Sequence, residues 1–141
     1  MVDIRKIYRL SLFIVRDKVD FIYSYSEFGQ LIDFIPIIVD GLSYLKEKFP
    51  NKSDSWYARA LARALVGVKK VSSNHWLVKG FKYFGDSSSL YNIIQLKDGK
   101  YVCDCYSRAF GFYRRGKVCT HIASVILARK MKYNFLDLYM I

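Results

Sequence analysis

Apolar and polar positions divide the chain into segments of different period. Ile7 to Val15 and Val19 to Tyr25 are apolar runs separated by Arg16-Asp17-Lys18. Both are rich in β-branched and aromatic residues, and Tyr8, Leu10, Leu12 and Ile14 alternate, so the two runs predict a hairpin. Ile4, Ile7, Tyr8, Ser11 and Ile14 also keep helical spacing, which makes a helix over the first run the competing reading. Ser26 is an N-cap candidate with Glu27 just inside. Leu31 to Phe49 predicts a helix, broken or kinked near Pro36 and weakened by Gly41. Phe49-Pro50-Asn51-Lys52-Ser53-Asp54 is dense in turn residues and is the good linker candidate. Ser55 to Val68 predicts a helix capped by Ser53 or Asp54. Ala58, Ala60, Ala62 and Ala64 favour it, and Trp56, Ala60, Leu61, Ala64, Leu65 and Val68 can form its packing stripe. Trp76 to Phe84, Leu90 to Leu96 and Lys100 to Cys105 predict a three-stranded meander. Its second turn, Lys97-Asp98-Gly99-Lys100, carries the Asp-Gly hairpin signal. Val118 to Lys132 predicts a last helix, with Ile122, Val125, Ile126 and Met131 on its apolar side.

The expected fold class is therefore α+β. Residues 1–54 form an apolar N-terminal part, hairpin plus helix, and residues 55–141 a helix followed by a small β-meander and a closing helix. Charge follows the same division. Of the net +11, none belongs to residues 1–54, where eight Lys or Arg balance eight Asp or Glu. In residues 55–141 fifteen Lys or Arg stand against Asp86, Asp98, Asp104 and Asp137. A bias confined to one part reads as a polyanion-binding surface; solubility alone is the competing account.

The three cysteines of the chain fall in one pattern. Cys103-Asp104-Cys105, a gap of thirteen residues, and Cys119-Thr120-His121 spell C-x-C…C-x-H. Three thiols and one imidazole are a donor set that tetrahedral Zn²⁺ accepts. The C-x-C pair is expected where the strand ends and curls, and Cys119 at a helix N-terminus, where the dipole favours a thiolate. Inert core cysteines are one alternative. A disulfide is another, but C-x-C is too close for unstrained closure and an odd count leaves one thiol over. His75, in Asn74-His75-Trp76, reads as an ordinary strand-edge residue.

This C-x-C…C-x-H set, behind a hairpin and ahead of a helix, resembles the SWIM zinc finger of transposases, recombination mediators and ubiquitin ligases. The resemblance covers about Trp76 to Lys130. It implies a ββα-type unit closed by one structural zinc on Cys103, Cys105, Cys119 and His121. Tyr106 stands where many members carry a proline, which bears on the turn geometry of the knuckle. A small-residue helix before the first strand is similar to what precedes the finger in many of these proteins.

Between the ligand pairs, Arg108, Arg114, Arg115 and Lys117 interleave with Phe110, Phe112 and Tyr113. Charge that tracks phosphates and rings that stack on bases suit a nucleic-acid strand; the alternative is that the rings fold back onto the core. Arg59 and Arg63, four apart, share a helix face and can span two phosphates or simply face solvent. Lys130 and Lys132 extend the positive field. The expected partner is nucleic acid, DNA first. An adaptor is the other class, binding a protein or its own copy through residues 1–54 if Phe21, Tyr23, Tyr25 and Phe28 are exposed. Catalysis is not expected. There is no H-E-x-x-H, no deaminase H-x-E, and both glutamates, Glu27 and Glu47, lie far from the finger. Asp104 reads as a surface or outer-sphere group. Neither a signal peptide nor an apolar stretch near the roughly 20 residues of a membrane span is visible, so the expected place is inside the cell, cytoplasmic or nucleoid-associated, where thiols stay reduced. Metal binding is expected to be coupled to folding of the finger, and Cys105→Ser to unfold only the finger and leave the N-terminal part intact.

Overall fold

The computed structural model describes residues 3–18, 29–107 and 118–132. The chain opens with α1, Ile4–Val15, capped by the Asp3 carboxylate, which accepts from the Arg5 backbone N–H at 3.0 Å. This corrects the hairpin reading of Ile7 to Val15. Ile7, Leu10, Ser11 and Ile14 stand at i, i+3, i+4 and i+7 and are buried together, so the helical stripe prevails over the alternation. Ser11 fits this buried stripe because its hydroxyl donates to the Ile7 carbonyl at 2.8 Å. The second run, Val19 to Tyr25, and the Ser26 cap lie outside the described residues.

Two helices follow, α2, Gly29–Ile32, and α3, Ile35–Lys48. The break between them falls at Asp33-Phe34, and Pro36 sits in the first turn of α3, where its missing N–H has no helical partner to lose. Helix α4, Asp54–Val66, starts at Ser53, whose hydroxyl accepts from the Trp56 N–H at 3.0 Å. Its alanines explain its place: Ala58, Ala60, Ala62 and Ala64 are all buried. Small side chains on several faces let α4 be packed from more than one side. Helix α1 lies against it, as does α5, Thr120–Met131.

The sheet is an antiparallel meander in the order β1-β2-β3-β4. Its strands are Val68–Ser72, His75–Lys79, Leu90–Gln95 and Tyr101–Cys103. The meander thus has one strand more than expected. Val68 reads as the end of a helix, yet Val68–Ser72 pairs with β2 as an edge strand that is mostly exposed. The strand expected over Trp76 to Phe84 stops at Lys79, and Lys82–Phe84 forms a 3₁₀ turn instead. The β3–β4 hairpin turns on Gly99, whose φ of +91° suits glycine. Trp76, Val78, Tyr91, Ile93 and Cys103 are the buried strand residues, and α5 packs against all four strands.

Helix α5 also meets α3, and a glycine sets that approach. A Cβ on Gly41 would stand 2.9 Å from Leu127 Cδ1 and 3.0 Å from Met131 Cγ. One hydrophobic cluster therefore runs from Ile7 of α1 to Met131 of α5. Among the described residues, no helix is long and apolar enough to cross a membrane.

A second glycine holds the loop that reaches the candidate site. The Gly80 N–H donates to the Ser89 carbonyl at 2.9 Å, and a Cβ on Gly80 would lie 1.8 Å from the Ser88 carbonyl oxygen. Gly80→Ala must displace backbone, so it is expected to cost about 1–3 kcal/mol in denaturant unfolding. An unchanged midpoint would contradict the close approach.

Candidate metal centre

Strand β4 ends at Cys103, and a 3₁₀ turn, Asp104–Ser107, begins at the next residue. The curl after the strand carries Cys105 into the same pocket, and the Cys105 backbone N–H lies 3.5 Å from Cys103 Sγ as its donor. From the other side comes the start of α5. Cys119 is its N-cap, and its sulfur accepts from the Ile122 N–H at 3.4 Å. His121 follows in the first helical turn. The donor atoms of Cys103, Cys105, Cys119 and His121 all lie within 4.8 Å of one another. All three thiols are free.

The thiols are not equivalent. Hydrogen bonds from Cys103 and Cys105, aided by the Ile122 N–H at the helix start, bring the Cys119 thiol down to about 3 against the effect of burial. The Cys103 thiol is pushed the other way by its two sulfur neighbours and by burial. A bound cation would displace the thiol protons.

His121 provides the test of fit. Its ring is 1% exposed, and Nε2 lies 3.0 Å from Asp86 Oδ1. An ionised carboxylate only accepts, so Nε2 carries the proton and Nδ1 the lone pair. Nδ1 is buried and has no hydrogen-bond partner. A buried acceptor without a partner, beside three sulfurs, is what a metal ligand looks like before the ion is counted. The cluster can hold one metal ion such as zinc.

Two neighbours fix the imidazole. The Tyr91 ring stacks on it with centroids 4.0 Å apart. Tyr91 Oη accepts from the Ser87 and Ser88 N–H groups, each at 3.1 Å, and so ties strand β3 to the loop bearing Asp86. Asp86 takes the Arg63 guanidinium by two bonds, from Nη1 at 2.6 Å and Nη2 at 3.0 Å, and the Phe81 N–H at 2.8 Å. Burial alone would push the Asp86 carboxyl up, but hydrogen bonds from His121 and Arg63 and the guanidinium charge hold it well below the usual carboxylate range. Arg63 Nε then donates to Thr120 Oγ1 at 3.0 Å, between the two ligands of α5.

Sequence reasoning missed Asp86. It lies in the Gly85-Asp86-Ser87-Ser88-Ser89 turn, 35 residues from His121, and no spacing links the two. Arg63 requires a correction. It was expected on a phosphate-facing surface with Arg59, but it is 2% exposed and committed to Asp86 and Thr120. Arg59 is half-buried, and Lys130 and Lys132 are exposed. Arg108, Phe110, Phe112, Tyr113, Arg114, Arg115 and Lys117 lie outside the described residues. His75 is a half-buried strand residue whose Nε2 is 2.9 Å from Asn92 Oδ1. The Asp104 carboxylate accepts from the Asn92 backbone and side-chain amides, each at 3.1 Å, which makes it a clamp across β3 and the turn after β4.

No protein-family model matches this chain, and neither a curated protein nor a solved structure does.

Proposed function

We propose that this is a zinc-stabilised, non-catalytic nucleic-acid-binding protein, with DNA as the first ligand and a finger of the SWIM type. One observation carries the reading. A Cys₃His cluster sits in the part of the chain that holds the whole positive excess. Four protein donors fill a tetrahedral shell and leave no position for water or substrate, so the ion's work is structural. The order β3, turn, β4, C-x-C, gap, C-x-H, α5 supports the SWIM assignment. Holding Cys105 and Cys119 on one ion closes residues 106–118 into a loop. Arg108, Arg114, Arg115 and Lys117 then track phosphates, and Phe110, Phe112 and Tyr113 stack on bases.

Elemental analysis is expected to give one zinc per chain. A salt titration against duplex DNA, single-stranded DNA and RNA is expected to show affinity falling linearly on log–log axes, by about 0.9 per phosphate contact on duplex. No binding to any of the three at low salt removes the reading.

A second reading, an adaptor of the recombination-mediator type, is favoured by the outer face of the sheet. Ile94 and Val102 are register partners on it, and both are exposed along with Leu90. Apolar residues grouped on a sheet face suit a protein partner. Phe21, Tyr23, Tyr25 and Phe28, the N-terminal residues expected to serve this role, lie outside the described residues. Failure of the titration would put this face first.

A further inference from the structure

We infer that a nucleic-acid strand is gripped by its phosphates in a groove between β1 and the C-terminal end of α5, at the far end of that helix from the metal cluster. The inference rests on the nucleic-acid reading above and places its main contact away from the loop between the ligands. The groove encloses about 540 Å³ and is lined by Lys69, Lys70, Trp76, Arg129 and Lys132 over a floor of small residues. None of its lining residues is acidic.

Arg129 is the decisive element. Its guanidinium lies 4.9 Å over the Trp76 ring, and Nη1 donates to Tyr101 Oη at 2.6 Å and to Gln95 Oε1 at 2.9 Å. All three partners are neutral. They hold the cation in place without cancelling its charge, and among the described residues no carboxylate lies within ion-pair distance of it. Both hydrogens of Nη1 are used, which leaves the Nε–Nη2 edge, the fork that matches two phosphate oxygens. A surface arginine without such props would lose rotamer freedom on binding; here that ordering is already in place.

The neighbouring cations suit a chain of phosphates better than one small anion. Lys70, exposed on the edge strand β1 opposite the buried Trp76, shares the sheet face that α5 covers, and the exposed Lys69, opposite Leu77, adds its charge from the other face of the same edge. Lys132 is exposed at the C-cap of α5. The carbonyl end of a helix carries roughly half a negative charge, far less than the charge of Lys70, Arg129 and Lys132 around it. Lysines on an edge strand also discourage strand pairing, but that role needs neither the groove nor a propped arginine. The groove is partly open to solvent rather than enclosed, so a phosphate backbone can reach its cations. Helix α5, with twelve residues, spans roughly 18 Å. The groove and the metal cluster are thus separate places on one rigid rod.

The test uses the full-length, zinc-loaded chain and fluorescein-labelled single-stranded and duplex DNA, read by anisotropy across a salt series. The variant Lys69→Gln/Lys70→Gln/Arg129→Gln/Lys132→Gln is expected to bind at least about tenfold more weakly, with a log–log slope shallower by up to about 3–4. Zinc content is expected to stay at one per chain. Should the four changes lower the melting temperature, Lys69→Gln/Lys70→Gln alone decides, because both side chains are exposed; it is expected to make the slope shallower by up to about 2. Wild-type affinity and slope in the variants overturn the groove and leave the nucleic-acid reading standing. No DNA binding by the unmodified protein overturns both. Loss of binding to phosphatidylserine vesicles, with DNA binding intact, overturns the groove in favour of a membrane surface.

Discussion

Stripping zinc from the purified protein is expected to unfold the whole described core in one transition, not the metal-bearing end alone. The sequence suggests otherwise, since a neutral linker separates an apolar N-terminal part from the finger. Packing argues for cooperation. Helix α5 begins at two of the candidate ligands, and the same helix packs against α3, α4 and all four strands. Its residues Ile122, Ala123, Val125 and Leu127 are buried. Without an ion, three buried sulfurs stand together and the buried His121 Nδ1 has no hydrogen-bond partner. Structural zinc contributes about 10–16 kcal/mol in small fingers, as much as the 5–15 kcal/mol net stability of a whole domain. Cys119→Ser, which removes a thiol donor while keeping an oxygen to cap α5, is expected to behave alike. Hydrogen exchange in the presence of a chelator checks this. Leu10, Ser11 and Ile14 of α1 are expected to lose protection together with α5. Protection that persists in α1 and α3 while α5 opens would restore the two-part picture.

How much of this was legible depended on whether the deciding force was local. The four candidate ligands were legible because a metal site fixes residue type and spacing together. Helices α4 and α5 were legible from alanines after a serine cap and an apolar stripe after Cys119; α3 was legible only as part of one Leu31 to Phe49 helix, and the break expected near Pro36 falls just before it, with the proline opening α3. The β3–β4 hairpin was legible from Asp98-Gly99. Helix α1 was ambiguous because two periods coexist in it. Tyr8, Leu10, Leu12 and Ile14 alternate while Ile7, Leu10, Ser11 and Ile14 make a stripe. What separates them is the alanine-rich surface of α4, which lies some 50 residues further along. Strand β1 was hidden because an edge strand of lysines has no apolar period to show. Arg63 and Asp86 were hidden for another reason. Charged residues read as surface unless something buries them in pairs, and theirs is a pairing across 23 residues that only the fold creates.

That buried pair yields the second large effect. Arg63→Ala is expected to destabilise the protein by about 3–5 kcal/mol, because it leaves the Asp86 carboxylate desolvated with its main counter-charge gone. The Arg63 and Asp86 side chains are 2% and 4% exposed, so water does not replace the lost partner. Asp86→Asn acts differently. Its amide oxygen can still accept from His121 Nε2, but the negative charge that orients the ring and raises its basicity is lost. Zinc affinity is expected to fall by about 10–100-fold, as for other carboxylates behind a metal-bound histidine. The double variant Arg63→Met/Asp86→Leu separates the two roles. It removes both buried charges, so it is expected to be more stable than Arg63→Ala, yet it leaves Nε2–H without an acceptor and should bind zinc no better than Asp86→Asn. Urea unfolding measures the first quantity, and competition with a chromophoric chelator the second. Ring ¹⁵N shifts of the zinc-loaded protein are expected to show the metal on Nδ1 and the proton on Nε2. Coordination through Nε2, or wild-type zinc affinity in Asp86→Asn, would mean that Asp86 serves only to neutralise Arg63 and has no hold on the metal.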